Sequence, residues 1–499
     1  MANEVRVRFA PAPTGYMHIG NLHTALFNWL FARKQGGTMV LRIEDTDEVR
    51  STPEALEVIY QGLKWLGLDW DEGPDVGGEY GPYVQSERLD IYQEYLEQLL
   101  EAGRAYECFC TPEELEERRQ VMRARGIPPK YDGRCARLTE AEREELRAEG
   151  RESCIRFRVK ETGTTVIEDI IQGEVSYENS LIGDPIIVKT SGFPTYHFAC
   201  VVDDHLMQIT HVIRAVEHLP NTQIHIQLQE ALELATPHYA HLPLILGEDR
   251  SKLSKRHGAV AVTDYQEQGF LPEAMFNFLA LLGWSPGDEE EIMTREQIVE
   301  RFSLEACDKS PSVFDLQKAE WMNGEYMKRM DAEKLAERLL PLLVKEGLME
   351  QQPCAERWQW LVQVVDLMKE RTPLLTTFVT WGRYFFTDDY EYEDRARKKW
   401  LNREDTPEKL ELLAERLQLL EPWSSQSIEE AVRGLAEELE VSAAQVIHPC
   451  RAAVTGTTIG PSLFHLMELL DQADVVRRLQ RTAQLARAGE FVALADDNE

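Results

Sequence analysis

The sequence predicts an α/β fold: a doubly wound parallel-sheet domain, interrupted by an α+β insertion and followed by an all-α C-terminal region. Three observations carry this. The first 67 residues alternate strand, helix, strand, helix; the alternation breaks near residue 73 and resumes near 199; beyond about 260 the apolar residues recur at helical spacing.

Val5–Pro11 reads as a strand, followed by the turn Pro11-Ala12-Pro13-Thr14-Gly15. Leu22, Leu26, Trp29, Leu30 and Arg33 then fall at helical spacing, and Gly36-Gly37 stops the helix. Thr38–Asp45 is a mostly apolar run ending in acids, the pattern of a buried parallel strand. Ser51-Thr52-Pro53 offers N-cap candidates and a first-turn proline for a helix buried through Leu56, Ile59, Leu63 and Leu66 and closed by Gly67. From Gly73 to Thr190 come glycine-rich loops, acidic helices (Glu113–Arg125, Glu140–Ala148) and hairpin-like runs (Ile155–Val159, Ile182–Val188). The α/β pattern returns with Ala199–Asp203, Gln208–Ala215, a helix near Asn221–Leu234 and a strand Leu242–Leu246. Helices are expected at Asp331–Glu346, Pro407–Leu420, Ile428–Glu440 and Asp474–Ala488.

The chain has 499 residues, enough for about three to five domains. With 43% apolar and 28% charged residues it falls in the ordinary globular class. No stretch approaches the roughly 18 apolar residues of a membrane span, and the start MANEVRVRFAP has no signal-peptide core, so a cytoplasmic chain is expected. A net charge of −33 argues against indiscriminate polyanion binding but not against a shaped nucleic-acid site with local basic patches. Two such patches occur: 369–403 has eight basic against six acidic residues, and 441–489 has five arginines against three acids.

Three features sit where an open α/β sheet places a nucleotide site, at the carboxyl ends of its strands and beside helix N-termini. The first is the turn Pro11 to Asn21, containing Thr14, His18 and Gly20: glycine admits close backbone approach, and histidine can hydrogen-bond phosphate. The second is Lys252-Leu253-Ser254-Lys255-Arg256, three cations and a serine in five residues, suited to a polyphosphate or, equally, to a solvated basic loop. The third is a set of charges in or beside apolar strands: Arg8, Glu44, Asp45, Asp47 and Arg214. Burying these is costly unless they pair with one another or bind something.

FAPAPTGYMHIG, LRIEDTD, GFPTYHFACVVDDHLMQITHVIR and KLSKR, in this order, resemble the bacterial-type glutamyl-tRNA synthetases (glutamate–tRNA ligases), class I aminoacyl-tRNA synthetases. His18–Asn21 is similar to the class element HIGH and Lys252–Arg256 to KMSKS. The likeness is dense to about Asn323 and thinner beyond. It implies a Rossmann-like catalytic domain in two halves, 1–83 and 195–259, the second with the KLSKR loop. It also implies an inserted acceptor-end-binding domain, 84–194, a stem-contact domain, 260–330, and helical anticodon-binding domains, 331–499.

The implied reaction ligates L-glutamate to the 3′ end of tRNA(Glu) through glutamyl-adenylate, consuming ATP with Mg²⁺ and releasing diphosphate and AMP. His18, Lys252 and Lys255 would stabilise the transition state, with Pro11, Thr14, Gly20, Asn21, Glu217, His218 and Ser254 completing the ATP site. Arg8, Ala10, Ala12, Glu44, Tyr196, Cys200 and Arg214 correspond to the glutamate site, Arg8 facing the side-chain carboxylate and Glu44 the ammonium. Three positions depart from the family: Ala12 replaces a common serine, Cys200 a frequent asparagine, and His23 a frequent arginine. Arg371 and Arg451 correspond to positions near the anticodon. A monomer is expected.

Of eight cysteines, Cys108, Cys110 and Cys135 lie close in sequence, with Tyr131 four residues before the last. Some family members carry Zn²⁺ on this pattern, and thiolates suit it; the alternative is three reduced cysteines packed in a small domain. Glutaminyl-tRNA synthetases share much of the motif set but carry a β-barrel anticodon region, against the helical periodicity here. A glutamyl-queuosine tRNA(Asp) synthetase would lack the C-terminal third. A decayed, RNA-binding synthetase fold should lose His18, Lys255 or the two arginines first. A dinucleotide-forming adenylyltransferase would not need the 240 helix-rich residues after the phosphate loop.

Overall fold

The structure, a computed structural model, describes residues 4–47, 50–253 and 261–491. β1 (Arg6–Phe9), α1 (Ile19–Gln35), β2 (Thr38–Leu41) and α2 (Pro53–Leu66) follow the expected alternation. β1 and β2 pair in parallel, Arg6 opposite Thr38. Leu22, Ala25, Leu26, Phe27 and Leu30 have no exposed surface, so α1 is buried on most of its faces. Gly36 ends it in the left-handed region, φ 63°, donating to Ala32 and Arg33 carbonyls. At α2 the Thr52 hydroxyl accepts from Ala55 N, Pro53 stands in the first turn, and Gly67 closes the helix.

The chain continues through α3 (Leu89–Glu101), β3 (Ala105–Cys108), α4 (Pro112–Ala124), α5 (Glu140–Ala148), β4 (Cys154–Phe157), β5 (Thr164–Asp169), β6 (Gly173–Glu178) and β7 (Ile186–Val188). β3, β4 and β7 form an antiparallel sheet. Leu96, Leu99, Phe157 and Ile187 pack together in one core there. α4 and α5 open with capping boxes at Thr111/Glu114 and Thr139/Glu142 and bury none of their residues.

β5 and β6 part company with the rest of that stretch. They form a hairpin that joins β8 (His211–Ala215) and β9 (His238–Leu242) in a four-stranded sheet, order β6-β5-β9-β8. β8 and β9 run parallel, and Asp169 at the end of β5 pairs with Tyr239 in parallel register. Thr210 N donates to Arg6 O at 2.9 Å, tying the start of β8 to β1. The range 84–194 is therefore divided: 164–178 extends the parallel sheet instead of folding with β3, β4 and β7. α6 (Tyr196–Leu206) and α7 (Leu219–Ala231) complete this part.

The strand expected at Leu242–Leu246 lies earlier, at His238–Leu242. Pro243 supplies no N–H to a ladder, so the strand stops before it, and only Ile245–Leu246 returns to extended pairing.

The chain divides into two compact units, one of Met1–Tyr265 with Met275–Asp315 and one of Gln266–Ala274 with Leu316–Glu499. The stretch 260–330 is thus shared between the two units. The second is all-helical, including Ala332–Lys345, Ala355–Met368, Thr406–Gln418, Ser425–Glu438, Ala444–Thr455 and Gln472–Arg487, around a core with Leu339, Val365, Phe378, Leu413, Val432 and Leu479. Among the described residues no helix is long and apolar enough to cross a membrane.

Candidate active site

His18 caps α1: its Nδ1 accepts from Gly20 N at 3.1 Å, which leaves the proton of the neutral ring on Nε2. Burial, with the nearby charge of Lys252, holds this histidine below its ordinary value. The chain before it is anchored by Glu44 N donating to Pro11 O at 3.0 Å and Thr14 N donating to Ala12 O at 2.9 Å. Ala12, Thr14 and Asn21 are exposed along this turn, and Ala10 and Gly20 are half-buried. A cavity of about 270 Å³ opens in front of α1, lined by His18, Gly20, Asn21, Glu217 and Lys252 among others. Lys252 Nζ meets Glu217 at 2.7 Å, both side chains exposed. Ser254, Lys255 and Arg256 lie outside the described residues. His23, the departure noted above, is a core residue: its Nε2 lies 2.7 Å from Leu282 O.

The strand charges form an internal network. Arg8 Nε donates to Asp204 Oδ1 at 3.0 Å, Arg42 Nη1 to the same carboxylate at 2.8 Å, and Arg42 Nη2 to Glu44 at 3.1 Å. Asp203 accepts from Arg88 Nε at 2.7 Å, Gln85 at 2.8 Å and Tyr92 at 2.9 Å. All six charged residues are buried. Burial would push Asp204 up, but Arg8 and Arg42 outweigh it and hold the carboxyl below its ordinary value. At Glu44 burial prevails over Arg42 and Arg8, and the carboxyl lies above its ordinary value. Glu44, expected to face a substrate ammonium, is thus already in an ion pair with Arg42. Arg8 commits Nε to Asp204, and among the described residues its Nη groups make no hydrogen bond. Cys200 joins the network, its thiol 3.6 Å from Asp204 Oδ2 and from Arg42 Nη2; burial pushes it up to about 12, so it stays protonated.

Arg214 differs. It donates to Tyr196 Oη at 2.9 Å, Thr222 Oγ1 at 2.8 Å, His241 Nε2 at 3.2 Å and His218 O at 3.4 Å. Among the described residues no carboxylate pairs directly with it. Burial and the charge of Arg214 hold His218 at about 4, so it is neutral beside Tyr196. Arg42, Asp204 and the Asp169–His241 pair escaped the sequence reading. Arg42 stands in the apolar run TMVLRIED, so the rule that singled out Arg8 applied to it equally.

In the inserted stretch, the Sγ atoms of Cys108, Cys110 and Cys135 lie within 4.8 Å of one another. Tyr131 Oη is 3.4 Å from Cys108 Sγ and 3.8 Å from Cys110 Sγ, and accepts from Cys135 N at 3.0 Å. Three thiols and a phenol oxygen on one centre are a donor set that fits a four-coordinate thiophilic metal. Cys154, opposite Cys108 across β3 and β4, packs against them.

In the helical unit, Arg451 on Ala444–Thr455 has a buried Nη1 with no hydrogen-bond partner. Burial, joined by the like charge of Arg371, holds its guanidinium below the ordinary arginine value. Arg371 is exposed.

The family of catalytic domains described as tRNA synthetases class I (E and Q) matches residues 4–321, and that of anticodon binding domains matches 334–483. The chain is 49% identical to the glutamate–tRNA ligase of Moorella thermoacetica, covering 97% of this chain and 99% of that one. It is 45% identical to that of Natranaerobius thermophilus at the same coverage. Its fold superposes on a glutamate tRNA ligase from Elizabethkingia meningosepticum, solved in complex with its amino acid, with a TM-score of 0.86 at 36% identity over 97% and 99% of the two chains. The Elizabethkingia anophelis glutamate-tRNA synthetase gives 0.85 at the same identity, covering 97% of this chain and 100% of that one. Carrying both domains in order and matching these relatives along almost their whole length, the chain belongs to the glutamate–tRNA ligases of the class I tRNA synthetases.

Proposed function

We propose that this chain ligates L-glutamate to the 3′ end of tRNA(Glu), activating it first as glutamyl-adenylate with ATP and Mg²⁺. The supporting observation lies at the carboxyl end of β8, which would separate the two ends of the site. Arg214 there donates to Tyr196 and has no carboxylate partner among the described residues, and Glu217, three residues on, lines the cavity of His18 and Lys252.

In this reading the α-phosphate of ATP meets the α-carboxylate of glutamate where the two ends join. His18 and Lys252, with Lys255 from the KLSKR loop, stabilise the charge gathering on the phosphate oxygens. Pro11, Thr14, Gly20, Asn21 and Ser254 frame the nucleotide, with Glu217 and His218 beside it. Lys252 exchanges its exposed carboxylate partner for phosphate at little cost. Glutamate lies against Arg8, Ala10, Ala12, Glu44, Tyr196, Cys200 and Arg214. The Arg8 Nη groups, without a hydrogen bond among the described residues, favour the side-chain carboxylate of glutamate over neutral glutamine, whose amide NH₂ would oppose those donors.

Cys108, Cys110, Cys135 and Tyr131 would hold Zn²⁺, which supplies a structural cross-link between the end of β3 and the loop carrying Tyr131 and Cys135. Arg371 and Arg451 would meet the anticodon, the insertion 84–194 the acceptor end and 260–330 the stem; the working form is a monomer, in the cytoplasm where its tRNA is.

Aminoacylation of purified tRNA(Glu) and tRNA(Gln), each with glutamate and with glutamine, tests the assignment. Glutamate on tRNA(Glu) is expected; charging with glutamine would overturn it. Metal analysis of protein purified without chelator should give close to one zinc per chain; a content near zero would remove the zinc site.

A further inference from the structure

Arg214 is buried and held by neutral partners, so its orientation depends on what fixes them. The partner of its Nε is His241 Nε2, at 3.2 Å. An arginine Nε always donates, so His241 Nε2 must carry a lone pair. The other ring nitrogen, Nδ1, lies 2.6 Å from Asp169 Oδ2. A bare Nδ1 there would oppose a carboxylate, so Nδ1 carries the proton and donates it. The reverse tautomer, or the imidazolium, would aim an Nε2–H at the Arg214 Nε–H. Thr222 is no obstacle, because its hydroxyl, 3.2 Å from His241 Nε2, can rotate.

Asp169 is itself fixed. Its Oδ1 accepts from Gln172 N at 2.8 Å, Ile171 N at 3.0 Å and His241 N at 3.2 Å. His241 has no exposed surface, and Asp169 and Arg214 are each 5% exposed. Asp169 stands at the end of β5 and His241 in β9, so the row Asp169–His241–Arg214 crosses the parallel sheet from the strand contributed by the inserted stretch.

We propose that Asp169 and His241 are positioning residues for Arg214: Asp169 selects the Nδ1–H tautomer, and His241 thereby presents the acceptor for the Arg214 Nε and carries the counter-charge of Asp169 toward it. This rests on the reading of Arg214 as a contact for a carboxylate of glutamate.

Asp169→Asn tests it in the full-length enzyme. The amide oxygen must take the Oδ1 position to keep the three backbone N–H groups, so the NH₂ falls at Oδ2 and faces Nδ1. The ring then has to protonate Nε2, against Arg214. In glutamate-dependent ATP–diphosphate exchange, the glutamate KM is expected to rise tenfold or more, with the ATP KM within twofold. ¹⁵N-histidine spectra, with His241 assigned by its loss in His241→Gln, should show the proton on Nδ1 in the parent protein and on Nε2 in Asp169→Asn. An unchanged glutamate KM, a parallel rise in both KM values, or a parent ring protonated at Nε2 would each overturn the proposal. Arg214→Lys separates the two readings. If it leaves the glutamate KM unchanged, the assignment of Arg214 to substrate fails, while the tautomer change still decides whether Asp169 sets the ring. If it raises the glutamate KM and Asp169→Asn does not, the positioning role alone fails.

Discussion

The two ends of the proposed substrate site are built in opposite ways. At the proposed amino-acid end, Arg8, Arg42 and Arg88 interlock with Glu44, Asp203 and Asp204, all buried. At the proposed phosphate end, the described groups are His18, half-buried, and an exposed Lys252–Glu217 ion pair. A buried network is costly to assemble and costlier to break, because removing one member strands its partner in a low-dielectric interior. An exposed pair is worth little and rearranges freely. The contrast suits the two proposed tasks: recognising one small amino acid calls for a fixed frame, while holding a polyphosphate through a changing geometry calls for charge that can move.

The contrast can be broken most sharply at Arg42. Arg42→Met leaves Asp204 and Glu44 short of a buried partner and should lower unfolding stability by about 3–5 kcal/mol in urea titrations. A loss near zero would mean that the network does not hold the frame. Arg8→Ala comes next: glutamate-dependent ATP–diphosphate exchange should fall by about a hundredfold or more, since Asp204 loses a buried cation and the substrate a donor. Near-normal turnover would remove Arg8 from the site. At the other end, Lys252→Ala should slow adenylate formation by about a hundredfold while leaving the glutamate KM unchanged and the stability within about 0.5 kcal/mol.

Acid gives a subtler separation. His23 and His218 are buried neutral at about 4 against an ordinary 6.5. For a group whose folded value is depressed, the unfolded chain binds more protons throughout that window. Their contribution to stability is therefore complete above about 6.5 and is lost as pH falls toward 4. Asp204, held below its ordinary 3.8, withdraws its contribution only at still lower pH. Melting temperatures across pH 7 to 4 should decline through the histidine window; a flat profile would contradict the buried neutral rings. The smallest effect is expected for Glu217→Gln, which frees Lys252 and should lower the ATP KM by about two- to threefold.

Much of this was legible in the sequence where a local rule decides the structure. Thr52, Pro53 and Gly67 announced both ends of α2, and helical spacing found four of the C-terminal helices to within three residues at each end but not Ala355–Met368 or Ala444–Thr455. What failed needed long-range information. HYAHL carries two histidines and does not read as a buried strand, yet Tyr239, Ala240, His241 and Leu242 are all buried. Nothing local distinguishes β5 and β6 from the neighbouring hairpin runs, although they pair with a different sheet. At the site, Arg8 and Arg214 were found as charges in apolar strands. That one is tied to Asp204 and the other to a histidine follows only from the fold, because Asp204 lies 196 residues from Arg8.

The hairpin of β5 and β6 has a practical bearing on protein engineering. A chimera that imports residues 84–194 from a relative as a single cassette replaces the outer strands of the recipient's parallel sheet, and Asp169 with them. The separable cassette is discontinuous: 84–160 and 182–194 can be exchanged while 164–178 stays with the host. Junctions placed there would leave the host's own carboxylate behind His241, while Gln85, Arg88 and Tyr92, which hold Asp203, would travel with the cassette and have to match the host.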